Sequence, residues 1–121
     1  MIYDKNNIFA KILRKEIPCN KIYENEYILS FYDINPQKKI HALIIPKGEY
    51  IDLDDFNKKA SNQEIVALIK GISDVAKKLD ISVEANKGYR ALTNLGEDGG
   101  QEVPHLHFHL FGGEKVGKMV E

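Results

Sequence analysis

The chain has 121 residues, the size of a single domain, and it contains one cysteine and four histidines. Its 17 Lys and Arg residues nearly balance its 18 Asp and Glu residues, so the net charge of −1 provides no broad positive field for nucleic acid. The lone Cys19 excludes an intramolecular disulfide, the first residues lack the pattern of a signal peptide, and no apolar run approaches the length of a membrane span. We therefore expect one cytoplasmic domain over residues 1–121 that binds neither membranes nor nucleic acid.

The predicted elements are two helices and five short strands. Residues 8–15 predict a first helix, because apolar side chains recur there at helical spacing before Pro18. Ser61 and Glu64 form a capping box at the start of a second helix, whose apolar stripe runs to Leu79. Runs rich in β-branched and aromatic residues predict strands at 21–23, 28–33, 42–46, 89–94 and 105–111. Several connections are too short for parallel crossovers, so we predict an α+β fold with a mainly antiparallel sheet.

The segment 105–111 alternates histidine with apolar residues. Successive side chains of a strand point to opposite faces, so His105, His107 and His109 should share one face. Such an array is suited to nucleophilic or acid–base chemistry, or to metal binding. Three histidines spread over about 13 Å of regular strand can hardly converge on one ion, although two of them with His41 or a carboxylate can.

A loop with three glycines, residues 94–101, lies immediately upstream of the histidines. Glycine lets backbone amides approach a ligand closely, and such amides together with Gln101 can hold phosphate oxygens. An imidazole beside a held phosphate can attack phosphorus. Loop and strand together therefore suggest nucleotidyl transfer to histidine.

The segment 99–113, Gly-Gly-Gln-Glu-Val-Pro-His-Leu-His-Phe-His-Leu-Phe-Gly-Gly, resembles the signature of the histidine-triad (HIT) proteins. Its flanking glycines resemble those of the Hint branch, the purine nucleoside phosphoramidases. Segments 9–12, 15–18, 31–37, 41–47 and 88–90 follow the order and spacing of the same family. The resemblance implies a homodimer whose two five-stranded sheets join into a ten-stranded sheet, with 89–94 as a candidate edge strand. It also suggests that residues 114–121 reach the site of the partner.

The resemblance implies a role for each matching residue. His107 would be the nucleophile that takes a nucleoside 5′-monophosphoryl group, while His105 and His41 would orient it and tune its basicity. The ribose hydroxyls would meet Asp33, which is followed by Ile34. The phosphate would be held by His109, Asn94, Gly100, Gln101 and Glu102. The purine pocket would be walled by Ile8, Phe9, Ile12, Ile17, Ile22 and Phe31.

Three departures from the family pattern qualify this reading. Residues 7–10 stand where many relatives carry Cys-X-X-Cys, and residues 47–49 lack the His of Lys-Lys-His, so we expect no bound metal and no cofactor. Glu102 stands where many relatives have Ser or Thr near the leaving group, and its carboxylate suits a cationic amine such as a lysyl side chain.

The function expected from these residues is hydrolysis of nucleoside 5′-phosphoramidates, of the AMP-NH2 or AMP-lysine type, through a covalent nucleotidyl-histidine. Three alternatives remain open. The same nucleophile can cleave the P–O–P bonds of diadenosine polyphosphates. The chain can instead be a purine-mononucleotide-binding regulatory module with little turnover, or a metal-binding protein.

Overall fold

Five antiparallel strands form one sheet in the computed structural model, which describes residues 2–119. The strands lie in the order β1-β2-β3-β5-β4. The predicted α+β fold and antiparallel sheet are confirmed. In chain order the elements are α1 (Ile8–Leu13), β1 (Lys21–Glu24), β2 (Ile28–Tyr32), β3 (Ile40–Pro46), α2 (Leu53–Lys59), α3 (Asn62–Lys78), a 3₁₀ turn (Val83–Ala85), β4 (Arg90–Leu92) and β5 (Phe108–Gly112).

The helix α3 packs along one face of the sheet, as its apolar stripe predicts. Its capping box is formed: the Glu64 amide donates to Ser61 Oγ at 3.1 Å, and the Ser61 amide donates to Glu64 Oε1 at 3.0 Å. A Cβ on Gly71 would lie 2.3 Å from Cδ1 of Ile28, so glycine permits the close approach of helix and sheet. This helix therefore closes its side of the domain.

The short helix α2 is an element that the sequence analysis did not predict. Asp52 caps it by accepting a hydrogen bond from the Asp55 amide at 2.8 Å. Only Phe56 of this helix is buried, so no apolar periodicity marks it in the sequence. Residues 2–119 therefore contain three α-helices where two were expected.

Strand alternation divides the core into two clusters, one on each face of the sheet. The face beneath α3, here called the α3 face, contains Ile22, Ile28, Ala42, Ile44, Leu68, Val75, Leu106 and Leu110, among other residues. The opposite face, called the α1 face, contains Phe9, Ile12, Leu29, Phe31, Leu43 and Ile45. The strand β3 contributes to both clusters, because Ala42 and Ile44 alternate with Leu43 and Ile45.

The histidine segment is only partly a strand. The amide of His105 donates to Val103 at 2.8 Å and that of Leu106 donates to Tyr50 at 2.8 Å, so these residues precede the sheet pairing of β5, which begins at Phe108. Leu106 and Leu110 nevertheless both lie on the α3 face.

None of the helices within residues 2–119 is long and apolar enough to cross a bilayer.

Candidate active site

Four histidines meet at the α1 face, where β3 and β5 lie side by side. The register pairs His109 of β5 with Leu43 and His41 of β3 with Phe111, which makes His41 and His109 diagonal neighbours. Their Nε2 and Nδ1 atoms lie 2.9 Å apart, although the residues are 68 positions apart in the chain. The ring centroids of His107 and His109 are 5.1 Å apart. The sheet register thus brings His41 to the triad.

His107 is held in one tautomer by the backbone. Its Nδ1 lies 2.7 Å from the carbonyl oxygen of His105. Because a carbonyl only accepts, Nδ1 must carry the proton and Nε2 must carry the lone pair. Burial lowers the pKa of His107, so its ring is neutral at neutral pH.

The lone pair of His107 is accessible to a ligand. Every fully buried side-chain nitrogen and oxygen within residues 2–119 has a hydrogen-bond partner. Nε2 of His107 makes no hydrogen bond to these residues, so this atom must reach solvent even though the residue is only 6% exposed. A neutral, oriented and reachable imidazole nitrogen is the requirement for a nucleophile.

A second chain of hydrogen bonds fixes the tautomer of His109. The Gln37 amide donates to Nδ1 of His41 at 3.1 Å, so Nε2 of His41 carries a proton and donates it to Nδ1 of His109. Nε2 of His109 therefore carries a proton of its own. Burial, followed by the charges of His107 and His41, lowers the pKa of His109 to about 4. His107 thus presents a lone pair beside a neutral donor, which suits attack on an anionic phosphate.

Asp33 follows β2 at the edge of this cluster. Its Oδ1 accepts from the Asn35 amide at 2.8 Å, and its Oδ2 lies 3.4 Å from Nε2 of His41. Ligand atoms of Asp33, His41 and His109 lie within 4.8 Å of one another, close enough to surround a metal ion. A metal needs the lone pair of His41 Nε2, whereas the Gln37 amide places a proton there. The donor set therefore matches a metal ion poorly while that hydrogen bond persists.

In the glycine loop, the side chain of Gln101 has a different orientation from the one expected from the sequence. Its Nε2 donates to the carbonyls of Ile51 at 2.6 Å and Val103 at 3.0 Å, while its Oε1 accepts from Gly96 at 3.3 Å. Both amide hydrogens are committed, so this side chain braces the loop and does not point at a phosphate site. Asn94 is half-buried, whereas Gly100 and Glu102 are exposed, and Gly100 has the positive φ of 76° that favours glycine. The amides of Gly100 and Gln101 donate to the carbonyls of Glu97 and Gly96, both at 3.1 Å, so the loop can offer the Glu102 amide, which has no partner within residues 2–119.

Five of the six residues expected around a purine lie on or beside the α1 face. The ring of Phe9 is 4.9 Å from that of His107 and 5.7 Å from that of Phe31, and Ile12 and Ile17 join the same cluster. Ile8 is 44% exposed, and Ile34, which follows Asp33 in the chain, is 89% exposed, so both leave apolar surface for a ligand. The assignment of Ile22 is wrong: strand alternation places it in the cluster of the α3 face, on the far side of the sheet.

The sequence analysis missed two residues that support the triad. The hydroxyl of Tyr3 lies 2.6 Å from Nδ1 of His105, and Oγ1 of Thr93 donates to the carbonyl of His107 at 2.7 Å. No motif or spacing signals either contact, because each joins segments that are distant in the chain.

Comparison with known proteins identifies a family and several relatives of this chain. A family model described as the HIT domain matches residues 14–116. An uncharacterized HIT-like protein of Azospirillum brasilense is 52% identical over 118 residues, covering 98% of this chain and 94% of that protein. A HIT-like protein of Helicobacter pylori is 51% identical over 110 residues, covering 90% and 98%.

Solved structures of proteins described as HIT or histidine triad proteins have a similar fold. A HIT family hydrolase from Clostridium thermocellum is similar with a TM-score of 0.84 and 38% identity, covering 97% of this chain and 99% of that one. A histidine triad protein from Clostridium difficile gives a TM-score of 0.82 and 36% identity, covering 97% and 98%.

Proposed function

Because the chain belongs to the HIT family, whose fold supports nucleotide hydrolysis or nucleotide binding in general, we propose that it hydrolyses the P–N bond of purine nucleoside 5′-phosphoramidates. The observation that carries this proposal is the tautomer of His107, whose Nδ1 is tied to a carbonyl while its Nε2 lone pair reaches solvent. The likeness of segment 99–113 to the Hint branch supports the P–N bond and the purine.

The reaction runs by double displacement. Nε2 of His107 attacks the α-phosphorus, a P–N bond forms to the histidine, and the P–N bond to the amine breaks. The amine leaves with a proton taken from the medium. Water then attacks the phosphorus of the nucleotidyl-histidine, releases the nucleoside monophosphate and returns a proton to the medium. The triad is regenerated without a redox change.

The surrounding groups position the substrate. Nε2–H of His109 donates to a phosphoryl oxygen and stabilises the charge that develops there, together with the backbone amide of Glu102. The carboxylate of Asp33 accepts hydrogen bonds from the ribose hydroxyls. The base packs on the apolar surface around Phe9 and the exposed Ile8.

Glu102 selects the leaving amine in this proposal. Its carboxylate is exposed, and its negative charge acts to raise the pKa of His107, so it lies within electrostatic range of the nucleophile. A cationic amine, such as that of an adenylylated lysine, gains a favourable interaction there. Glu102→Gln should raise KM for a lysyl amidate severalfold and leave KM for an uncharged amidate unchanged; equal effects on both contradict this role.

The enzyme is proposed to work as a homodimer. β4 is an edge strand of three residues, with one side of its backbone unpaired within residues 2–119, and α3 exposes Val66 and Ile69. Arg90 of β4 donates to the carbonyl of Gly117 at 2.7 Å, which places the C-terminal segment beside this edge. Sedimentation equilibrium should give the mass of two chains, and Val66→Glu/Ile69→Glu should lower the association constant; a monomer at all concentrations refutes the dimer.

The decisive experiment is trapping of the covalent intermediate. Adenosine 5′-phosphoramidate is mixed with the protein, the reaction is quenched within the first turnover, and mass spectrometry locates an adenylyl group on His107. His107→Ala should show neither adduct nor turnover. Diadenosine tetraphosphate and AMP are tested in parallel. Faster cleavage of the P–O–P bond, or tight AMP binding with no turnover of either substrate, refutes the phosphoramidase.

A further inference from the structure

The hydroxyl of Tyr3, from the segment that precedes α1, meets the first histidine of the triad inside the protein. Its oxygen lies 2.6 Å from Nδ1 of His105, and the two rings meet edge to face at 5.7 Å. His105 is completely buried, and its Nε2 lies 2.9 Å from the carbonyl oxygen of Pro46. Both ring nitrogens of His105 therefore have protein partners and neither is available to a substrate.

These contacts determine every proton position around His105. The carbonyl of Pro46 only accepts, so Nε2 carries the proton and Nδ1 carries a lone pair. Tyr3 must then be the donor to Nδ1. Burial raises the pKa of Tyr3, so this hydroxyl keeps its proton at physiological pH. The ring of His105 is consequently held from two sides.

The same residue holds the proposed nucleophile through its backbone. The carbonyl of His105 accepts the Nδ1 proton of His107 at 2.7 Å, which leaves the Nε2 lone pair free. Phe9 bridges the two rings, with its centroid 6.3 Å from that of His105 and 4.9 Å from that of His107. The ring and the carbonyl belong to the same residue, so the contacts that hold the ring of His105 also restrain the carbonyl that orients His107.

We propose that Tyr3 is a positioning residue: by fixing the ring and the neutral tautomer of His105, it fixes the carbonyl that orients His107 for attack. The catalytic consequence rests on the proposed function, whereas the orientation of His107 is a property of the free protein. Tyr3 touches neither phosphorus nor leaving group in this role.

Loss of the hydroxyl has a specific electrostatic signature. A donor at Nδ1 favours neutral His105, because protonation of Nδ1 would remove the acceptor; without the donor, His105 takes up a proton at higher pH. His107 is the titratable neighbour of His105, and its charge, once it is protonated, lowers the pKa of His105. Asp4, Arg14 and Glu49 act on Tyr3, and they are unchanged by its replacement with phenylalanine.

The test compares Tyr3→Phe with the matched control Tyr23→Phe, whose hydroxyl makes no hydrogen bond to residues 2–119 and which packs on the α3 face. Long-range 1H–15N spectra of the histidine rings are followed from about pH 7 to about pH 3.5, so that the titration of His105 is covered. The rate constant of adenylyl transfer is measured beside them. We expect Tyr3→Phe alone to raise the pKa of His105, to shift the Nδ1 signal of His107 and to lower the rate constant roughly 2- to 10-fold, the range for one neutral hydrogen bond. KM should not change.

Spectra and rate constant that match Tyr23→Phe overturn the inference, and so do shifted spectra with an unchanged rate constant. If Tyr3→Phe does not fold, 3-fluorotyrosine in the wild-type chain strengthens the donor, and an unshifted His105 signal then overturns the inference. The two proposals fail separately: absence of turnover by the wild-type protein refutes the phosphoramidase, whereas spectra of Tyr3→Phe that match those of Tyr23→Phe refute the positioning role, whether or not the wild-type protein turns over substrate.

Discussion

The two faces of the sheet are built from the same strands, yet within residues 2–119 only one of them carries the histidine cluster. On the α3 face a helix of 17 residues packs its own Leu68 into a cluster with Ile44 and Leu110 of the sheet, and all three side chains are fully buried. On the α1 face the covering helix has only 6 residues, about 9 Å of length, so it leaves part of the face open beside the histidines. The length of the covering helix therefore distinguishes the face that is packed as core from the face that stays open beside the histidines.

Backbone groups set the proton positions of three of the four histidines on the α1 face, namely His41, His105 and His107. The carbonyls of His105 and Pro46 and the amide of Gln37 determine which imidazole nitrogens carry protons. Backbone groups do not titrate, so these tautomers persist for as long as the imidazoles stay neutral. The α1 face is therefore preorganised for reaction, whereas the α3 face contributes mainly stability.

Replacing His107 by alanine should separate the two faces most sharply. His107→Ala removes the nucleophile, so we expect turnover of a phosphoramidate to fall at least about 1,000-fold. The free energy of unfolding should also fall, by about 1–3 kcal/mol, because the ring is only 6% exposed and packs edge to face on Phe9. Kinetics and urea unfolding of the same preparation measure both quantities. Retention of full turnover would contradict the assignment.

Leu110→Ala should have the converse effect. This side chain is adjacent to His109 in sequence but completely buried on the α3 face, so its truncation leaves a cavity there. We expect the free energy of unfolding to fall by about 2–5 kcal/mol. The rate constant of the folded variant should stay close to that of the wild type. A large loss of turnover without loss of stability would show that the faces are not independent.

Acid should destabilise the protein through the histidines. Burial lowers the pKa of His105 and of His109 to about 4, below the ordinary 6.5 of the unfolded chain. The unfolded state therefore binds protons first, so the stabilisation is complete above pH 6.5 and is lost as pH falls toward 4. The slope is about 1.4 kcal/mol per pH unit for each histidine in that window. Urea unfolding at about pH 7 and pH 5 checks it, and equal stabilities would contradict it.

Ser61→Ala should give the smallest of these effects. The substitution removes the hydroxyl that accepts the Glu64 amide at the start of α3. We expect a loss of about 1 kcal/mol in the free energy of unfolding, with turnover unchanged. Urea unfolding measures it, and a change in turnover would mean that the end of α3 reaches the site.

Local pattern accounts for much of the fold. The capping box at Ser61 and the apolar stripe after it predicted α3, and β-branched runs located all five strands. Local pattern failed where tertiary contacts outweighed it. Residues 105–107 alternate like a strand, but the Leu106 amide bonds to Tyr50 instead of to a neighbouring strand. The helix α2 buries only Phe56 and has no periodicity to detect.

The sequence by itself determined the antiparallel α+β fold and the presence of a histidine array with its family, because alternation, capping and motif spacing are local properties of the chain. Only the tertiary structure decided which groups surround that array. Sheet register brought His41 to His109, strand alternation sent Ile22 to the far face, and chain packing delivered Tyr3 to His105 across 102 positions. Proton positions follow from those contacts, since a buried imidazole takes the tautomer that its partners require.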